Sequence, residues 1–463
     1  MSGVNATTII CWFLIVVGMA MPFFVYGIEK KRIGGTGIGT MLSAAIVLYS
    51  LMNPAAYLIR PEFALNYFGY IGQLSANDLL PGILAVTLFL VSFTLALAFL
   101  PSKNQESRID SRITPIKNNQ VKKLILLATI MLLLGIVFFL YRNLTFFGSI
   151  FGSFNTYYKD EFARPEAGFF SNFASLLEWS ILVFSLVIFW QIDAKKWNKL
   201  LAFLPICFGV IFAILEGNRV LIGMAVFVWI GWHFFRAKIT PKLIIIILAI
   251  LTLMTLLANA RYIRGEGNFS EKILIIFSQE NFRPFWSGDP VGPSVVLTLE
   301  ALRIQNIRNI SSGAEYLSSI ESVVPSFIWK DRPMSPSENF AQRYDQDYLG
   351  KNASPGTGYA YSAVAEAFVN FWYFGCLALG VVVALMVIII THWYSTTNEG
   401  INRAITAIAT YFVVWIILRS NLSTYIAPVT IIGLIICWYT LHTIEPSYFH
   451  SPFNKKEEPD DDF

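Results

Sequence analysis

Eleven stretches of this 463-residue chain are apolar enough to pass through a lipid bilayer, and that recurrence leaves few alternatives for the fold. They run over 7–27, 36–58, 79–101, 124–145, 170–191, 200–215, 220–235, 243–260, 363–391, 404–418 and 424–443. Hydrocarbon offers the backbone no hydrogen-bond partner, so each stretch must satisfy its own groups as a helix. Hydrophobic residues make up 55% of the chain and charged ones 14%, which excludes a water-soluble protein. The expected fold is therefore an all-α polytopic membrane protein of about 11 transmembrane helices. Its expected organisation is helices 1–8 within 1–260, one large polar loop at 261–360, helices 9–11 within 361–443 and a tail at 444–463. The stretches at 200–215 and 220–235 are short and separated only by Glu216, Gly217, Asn218 and Arg219, which reads as a helical hairpin.

Short basic loops set the orientation. Lys30, Lys31 and Arg32, the 103–123 loop, Lys195 to Lys199, and Arg236 to Lys242 fall on one face under this threading. Positive charge is retained on the cytoplasmic side, so the N-terminus and the 261–360 loop are expected outside and the C-terminal tail inside. The first span lacks a basic leader and a small-residue cleavage site, and reads as an anchor. Cys11, Cys207, Cys376 and Cys437 all lie in or at the ends of spans, so no disulfide framework is implied.

Sorted by face, the cytoplasmic side carries 13 Lys and 5 Arg, the external side 4 Lys and 12 Arg. Lysine is enough to set topology; external arginine fits an additional task, because the planar guanidinium grips phosphate through two parallel bonds. Four of these arginines sit at span boundaries: Arg219 in the hairpin turn, Arg261 and Arg264 after span eight, and Arg419 between spans ten and eleven. Convergence on one external cavity that binds a phosphorylated ligand is one reading, and snorkelling to the interface is the other. Among carboxylates, Glu178, Glu216 and Glu366 lie in or beside spans. Each is either paired with an arginine or available as a general base, and Glu366 stands where the long loop re-enters the membrane.

The four histidines, His233, His392, His442 and His450, map to the cytoplasmic side, which leaves no external histidine for catalysis or zinc. No phosphate-binding glycine loop or dinucleotide fingerprint occurs. The 59–78 loop holds only Glu62 and Asp78, not an adjacent acidic pair, so neither metal nor other cofactor is expected. The long loop carries 10 positive and 11 negative residues, which argues against nucleic acid. It also has 13 aromatic residues beside Arg, Asp and Asn, the side chains that stack on sugar rings and bind their hydroxyls; a small helical cap with its own core is the plainer explanation. Within it, 292–323 reads as one amphipathic helix, and Pro325 to Pro336 as ordered irregular chain.

Gly-Asn-Arg-Val-Leu-Ile at 217–222, Pro-Ser-Phe-Ile-Trp…Arg-Pro at 325–333 and Gly-Tyr…Ala-Glu-Ala-Phe-Val-Asn-Phe…Gly at 358–375 resemble the Wzy-type oligosaccharide repeat-unit polymerases. The likeness in layout covers nearly the whole chain. It implies a bacterial inner-membrane enzyme with a GT-C-like helical glycosyltransferase fold. Such an enzyme joins undecaprenyl-pyrophosphate-linked glycan donor and acceptor units at the periplasmic face, without metal, and works with a chain-length regulator. Arg219, Arg332 and Glu366 correspond to motif positions. Together with the boundary arginines this makes Arg219 and Glu366 the catalytic candidates, and Arg261, Arg264, Arg332, Arg419, Tyr359 and Asn370 the substrate-binding ones. Phe371-Trp372 departs from the Phe-Gly common in such motifs. Two rivals share the architecture: an O-antigen ligase, disfavoured by the missing external histidine, and a lipid-linked oligosaccharide flippase, which needs no large one-sided loop.

Overall fold

The computed structural model describes residues 5–60, 74–100, 118–148, 292–307, 310–324, 328–349, 360–396 and 406–419, with isolated positions within 176–184, 230–245, 422 and 435–439. All regular structure among these residues is helical. Among the described residues, five helices are long and apolar enough to cross a membrane: Ala6–Ile33 (α1), Ile38–Ile59 (α2), Ala76–Phe99 (α3), Lys122–Phe146 within the longer Asn118–Phe147 (α4), and Ala363–His392 within Ala363–Thr396 (α8). They coincide with the first four spans and the ninth expected from hydropathy. The expected spans at 170–191, 200–215, 220–235, 243–260 and 424–443 lie wholly or largely outside the described residues.

Local chemistry explains the helix ends. Asn5 accepts a hydrogen bond from the Thr7 N–H to open α1, and Lys30, Lys31 and Arg32 fill its last turn before Gly34 at φ 85°, a glycine-favoured stop. Glu29, buried at that end, accepts from the N–H groups of Gly37 (2.8 Å), Gly39 (2.9 Å) and Thr40 (2.9 Å), and so caps α2 from the neighbouring helix. α2 passes through a π-helical turn at Val47–Leu51. At the start of α3 the Ser75 N–H donates to Asp78 Oδ2 at 2.7 Å.

α3 is the hub: α8 and α1 pack most extensively against it. Gly380 of α8 makes the close approach possible, since a Cβ there would lie 2.7 Å from the Phe89 carbonyl oxygen of α3. The outward faces of α1 and α4 remain apolar, with Phe13, Phe23, Leu126 and Leu133 exposed, as a surface in lipid requires.

Residues 292–323 are two helices rather than one. Gly292–Ile307 (α5) and Ala314–Glu321 (α6) are separated at Ser312 and Gly313, whose φ values of 48° and 93° turn the chain where a helix cannot continue. Nor is α5 amphipathic in practice. Ser294 to Ala301 are buried without interruption, because α5 packs against α3, α8 and the π-helical turn of α2. Pro336–Leu349 (α7) begins with a capping box: Ser335 N–H donates to Glu338 Oε2 at 3.0 Å, and Glu338 N–H to Ser335 Oγ at 3.3 Å. The helix Thr406–Arg419 (α9) is π-helical over Thr410–Ile416 and meets α8 at its C-terminal turn.

Candidate functional site

The start of α8 gathers the polar side chains. Glu366 lies in its first turn, 2% exposed. Its Oε1 accepts from the Ser319 hydroxyl of α6 at 2.6 Å, and its Oε2 from the Leu422 N–H at 2.7 Å. Both donors are neutral. Asn370 follows one turn later on the same helix face, 0% exposed. Its Nδ2 donates to the Glu366 carbonyl at 2.8 Å. Its Oδ1 accepts from the N–H groups of Glu315 (3.1 Å) and Tyr316 (3.4 Å). Gly313, at the N-cap of α6, has no side chain to serve those amides, so Asn370 caps α6 from outside.

Immediately beyond Asn370 the helical path of α8 breaks. Phe371 adopts φ −139°, ψ 19° and Trp372 φ 55°, ψ −143°. The second pair belongs to a region that only glycine enters without strain.

A second cluster lies alongside. Glu300, buried on α5, is held by Arg303 Nε at 2.6 Å and by Arg343 Nη2 of α7 at 2.8 Å. Arg303 also faces Glu315 of α6 at 3.8 Å, and the Tyr361 hydroxyl donates to Glu315 at 3.0 Å. Two guanidinium groups thus balance two carboxylates, tying α5, α6, α7 and the approach to α8 together. Burial raises the Glu315 carboxyl above its ordinary range, and the Glu300 charge adds to this. Burial lowers Arg303, yet Glu300 beside it prevails and the guanidinium ends up raised. Tyr361 is pushed well above the usual phenol range by burial, then by Glu300 and Glu315.

Of the residues expected from sequence, the structure brings together Glu366 and Asn370; Arg419 ends α9, and Leu422, three residues farther along the chain, supplies the second donor to Glu366. Arg332 is half-buried in the turn before α7, its N–H donating to the Trp329 carbonyl at 3.4 Å. No hydrogen bond or ion pair among the described residues links its side chain to Glu366 or Asn370. Arg219, Arg261, Arg264 and Tyr359 lie outside the described residues, as do Glu178 and Glu216. Ser319, Leu422, Glu300, Arg303, Glu315, Arg343 and Tyr361 were not anticipated. The i,i+3 spacing of Glu300 and Arg303 was a readable signal; nothing local marks Ser319 or Leu422.

A protein-family model described as O-antigen polysaccharide polymerase Wzy matches residues 41–449. The chain belongs to the Wzy family. The match spans the α2 to α9 bundle and the Glu366 cluster, and family membership carries a polymerase, glycosyltransferase-type activity in a membrane protein. No curated protein and no solved structure matches the chain. Against the Phe-Gly common in Wzy-type motifs, Trp372 occupies a backbone position that asks for glycine.

Proposed function

We propose that this Wzy-family protein polymerises undecaprenyl-pyrophosphate-linked repeat units at the periplasmic face of the inner membrane, without a metal, with Glu366 as the base toward the acceptor. The observation that carries this reading is the state of Glu366. Glu300 and Glu315 are engaged by arginines, whereas among the described residues Glu366 meets only neutral donors, one of them a hydroxyl at 2.6 Å. An acceptor sugar hydroxyl in the place of the Ser319 hydroxyl would be at proton-transfer distance. As its oxygen forms the new bond to the anomeric carbon of the donor, the bond from that carbon to the pyrophosphate oxygen breaks. The hydroxyl proton passes to Glu366, and lipid pyrophosphate departs. Arg219, Arg261 and Arg264 hold the departing charge, Arg332 and Arg419 add to the same positive face, and Tyr359 and Asn370 position sugar and helix. A chain-length regulator acts as partner in this scheme.

The test is the surface-glycan ladder of a host lacking the gene, complemented with wild type, Arg219→Lys or Glu366→Gln. Loss of the ladder with a single repeat unit still attached to its final acceptor, restored by wild type and by neither variant, is the expected result. Full polymer from Glu366→Gln removes the base, full polymer from Arg219→Lys removes the two-pronged phosphate grip, and loss of even the single unit replaces polymerase by ligase or flippase.

A further inference from the structure

α6 has its polarity reversed for a helix in water. Ser319 and Ser322, at and just beyond its C-terminal end, are buried, and Glu315 turns toward Arg303 and Tyr361. Its outward face presents Ala314, Leu317 at 62% exposure and Ile320 at 51%, with Glu321 the only charge on that face, at the last residue. A water-facing helix does the opposite, burying its apolar stripe and showing its polar one.

The helix is also pinned at a definite depth. Ser311 N–H donates to the Val369 carbonyl at 3.0 Å, Asn370 caps the first amides, and the Tyr316 and Phe371 rings lie 6.0 Å apart. The start of α6 is therefore level with residues 369–371 of α8. The helical path of α8 breaks at Phe371 and Trp372, and from Tyr373 to His392 the span measures about 30 Å at ~1.5 Å per residue, the thickness of the hydrocarbon core. Residues 369–371 therefore fall at the edge of that core. Phe371, Trp372 and Phe374 are exposed at this level, continuous with the exposed Val382, Leu385 and Ile389 farther along the span.

We propose that α6 is a lipid-contacting helix. Leu317 and Ile320 enter the acyl chains at the membrane edge as a continuation of the lipid-facing surface of α8, and the opposite face walls the Glu366 cluster off from the bilayer. The occupant of the apolar face is the hydrocarbon itself, because that face adjoins one that can face nothing else. The assignment stands on exposure and anchoring, whatever reaction Glu366 serves.

The experiment places a spin label at Leu317→Cys or Ile320→Cys in full-length protein whose four cysteines are replaced by alanine, in phosphatidylethanolamine/phosphatidylglycerol nanodiscs. Collision with oxygen is compared with collision with a water-soluble nickel chelate. Leu144→Cys, exposed near the end of α4, serves as the lipid reference at the membrane edge and Asp347→Cys on α7 as the aqueous one. Both α6 sites are expected to match Leu144. A match to Asp347 places α6 in water, and inaccessibility to both reagents means protein covers it; either overturns the proposal. In the native-cysteine protein, a photo-crosslinking residue at 317 or 320 should form phospholipid adducts and one at 347 should not. Adducts only to protein, or none, overturn it equally.

Discussion

Asn370→Ala tests whether α6 is held by a cap from another helix. The substitution removes the acceptor of the Glu315 and Tyr316 amides and the donor to the Glu366 carbonyl, at a position with no exposure to solvent. Loss of a helix cap costs about 1 kcal/mol, and buried amides left without partners add roughly 1–3 kcal/mol. Together these point to about 3 kcal/mol against the docked form of α6, and at ~1.4 kcal/mol per decade the open fraction rises on the order of 100-fold. Hydrogen exchange followed by mass spectrometry reads this directly, since amide exchange from a locally opening segment tracks the open population. Peptides covering 314–321 should exchange on the order of 100-fold faster in Asn370→Ala, while α1 peptides stay unchanged. Asn370→Asp keeps an oxygen at the helix N-terminus, where negative charge is favourable, but loses the donor and sets an oxygen against the Glu366 carbonyl. It should retain part of the protection. Unchanged exchange in Asn370→Ala, or equal acceleration in both variants, refutes the capping argument.

Glu29→Ala strands three buried amides of α2 and should lower stability by about 3 kcal/mol, seen as a fall in the thermal midpoint in detergent. Gly37→Ala should fall in the same direction, because a Cβ there meets the Glu29 carboxyl group. Trp372→Val should be less stable than Trp372→Gly, since a β-branched residue tolerates φ 55° worst and glycine best; the reverse order in the same melt would refute strain at the kink. Glu315 has a raised folded-state pKa, so its contribution to stability is complete below the ordinary carboxyl value of 4.5 and is lost as pH rises through the folded value. The thermal midpoint of wild type relative to Glu315→Gln should therefore decline with pH above that value, and a difference independent of pH would refute it.

The sequence by itself determined the membrane class, because hydrocarbon admits only self-satisfied helices and the apolar runs announce them one by one. Spans at 7–27, 36–58, 79–101, 124–145 and 363–391 were legible to within a few residues for that reason. Glu366 and Asn370 were also legible, since a carboxylate and an amide one turn apart at the mouth of a span stand out against apolar neighbours. Their partners were not. Ser319 lies 47 residues before Glu366 and Leu422 56 after it, and a hydroxyl and a main-chain amide carry no local mark of the carboxylate they serve. The burial of α5 was equally hidden, because the reading of 292–323 rested on an amphipathic pattern that assumes water on one side. Only the packing of α5 against α3, α8 and the π-turn of α2 decided otherwise. The break at Ser312–Gly313 and the reversal at Trp372 follow the same logic. Backbone strain at both places is held by contacts made elsewhere in the fold, and a one-dimensional pattern of hydropathy has no term for them.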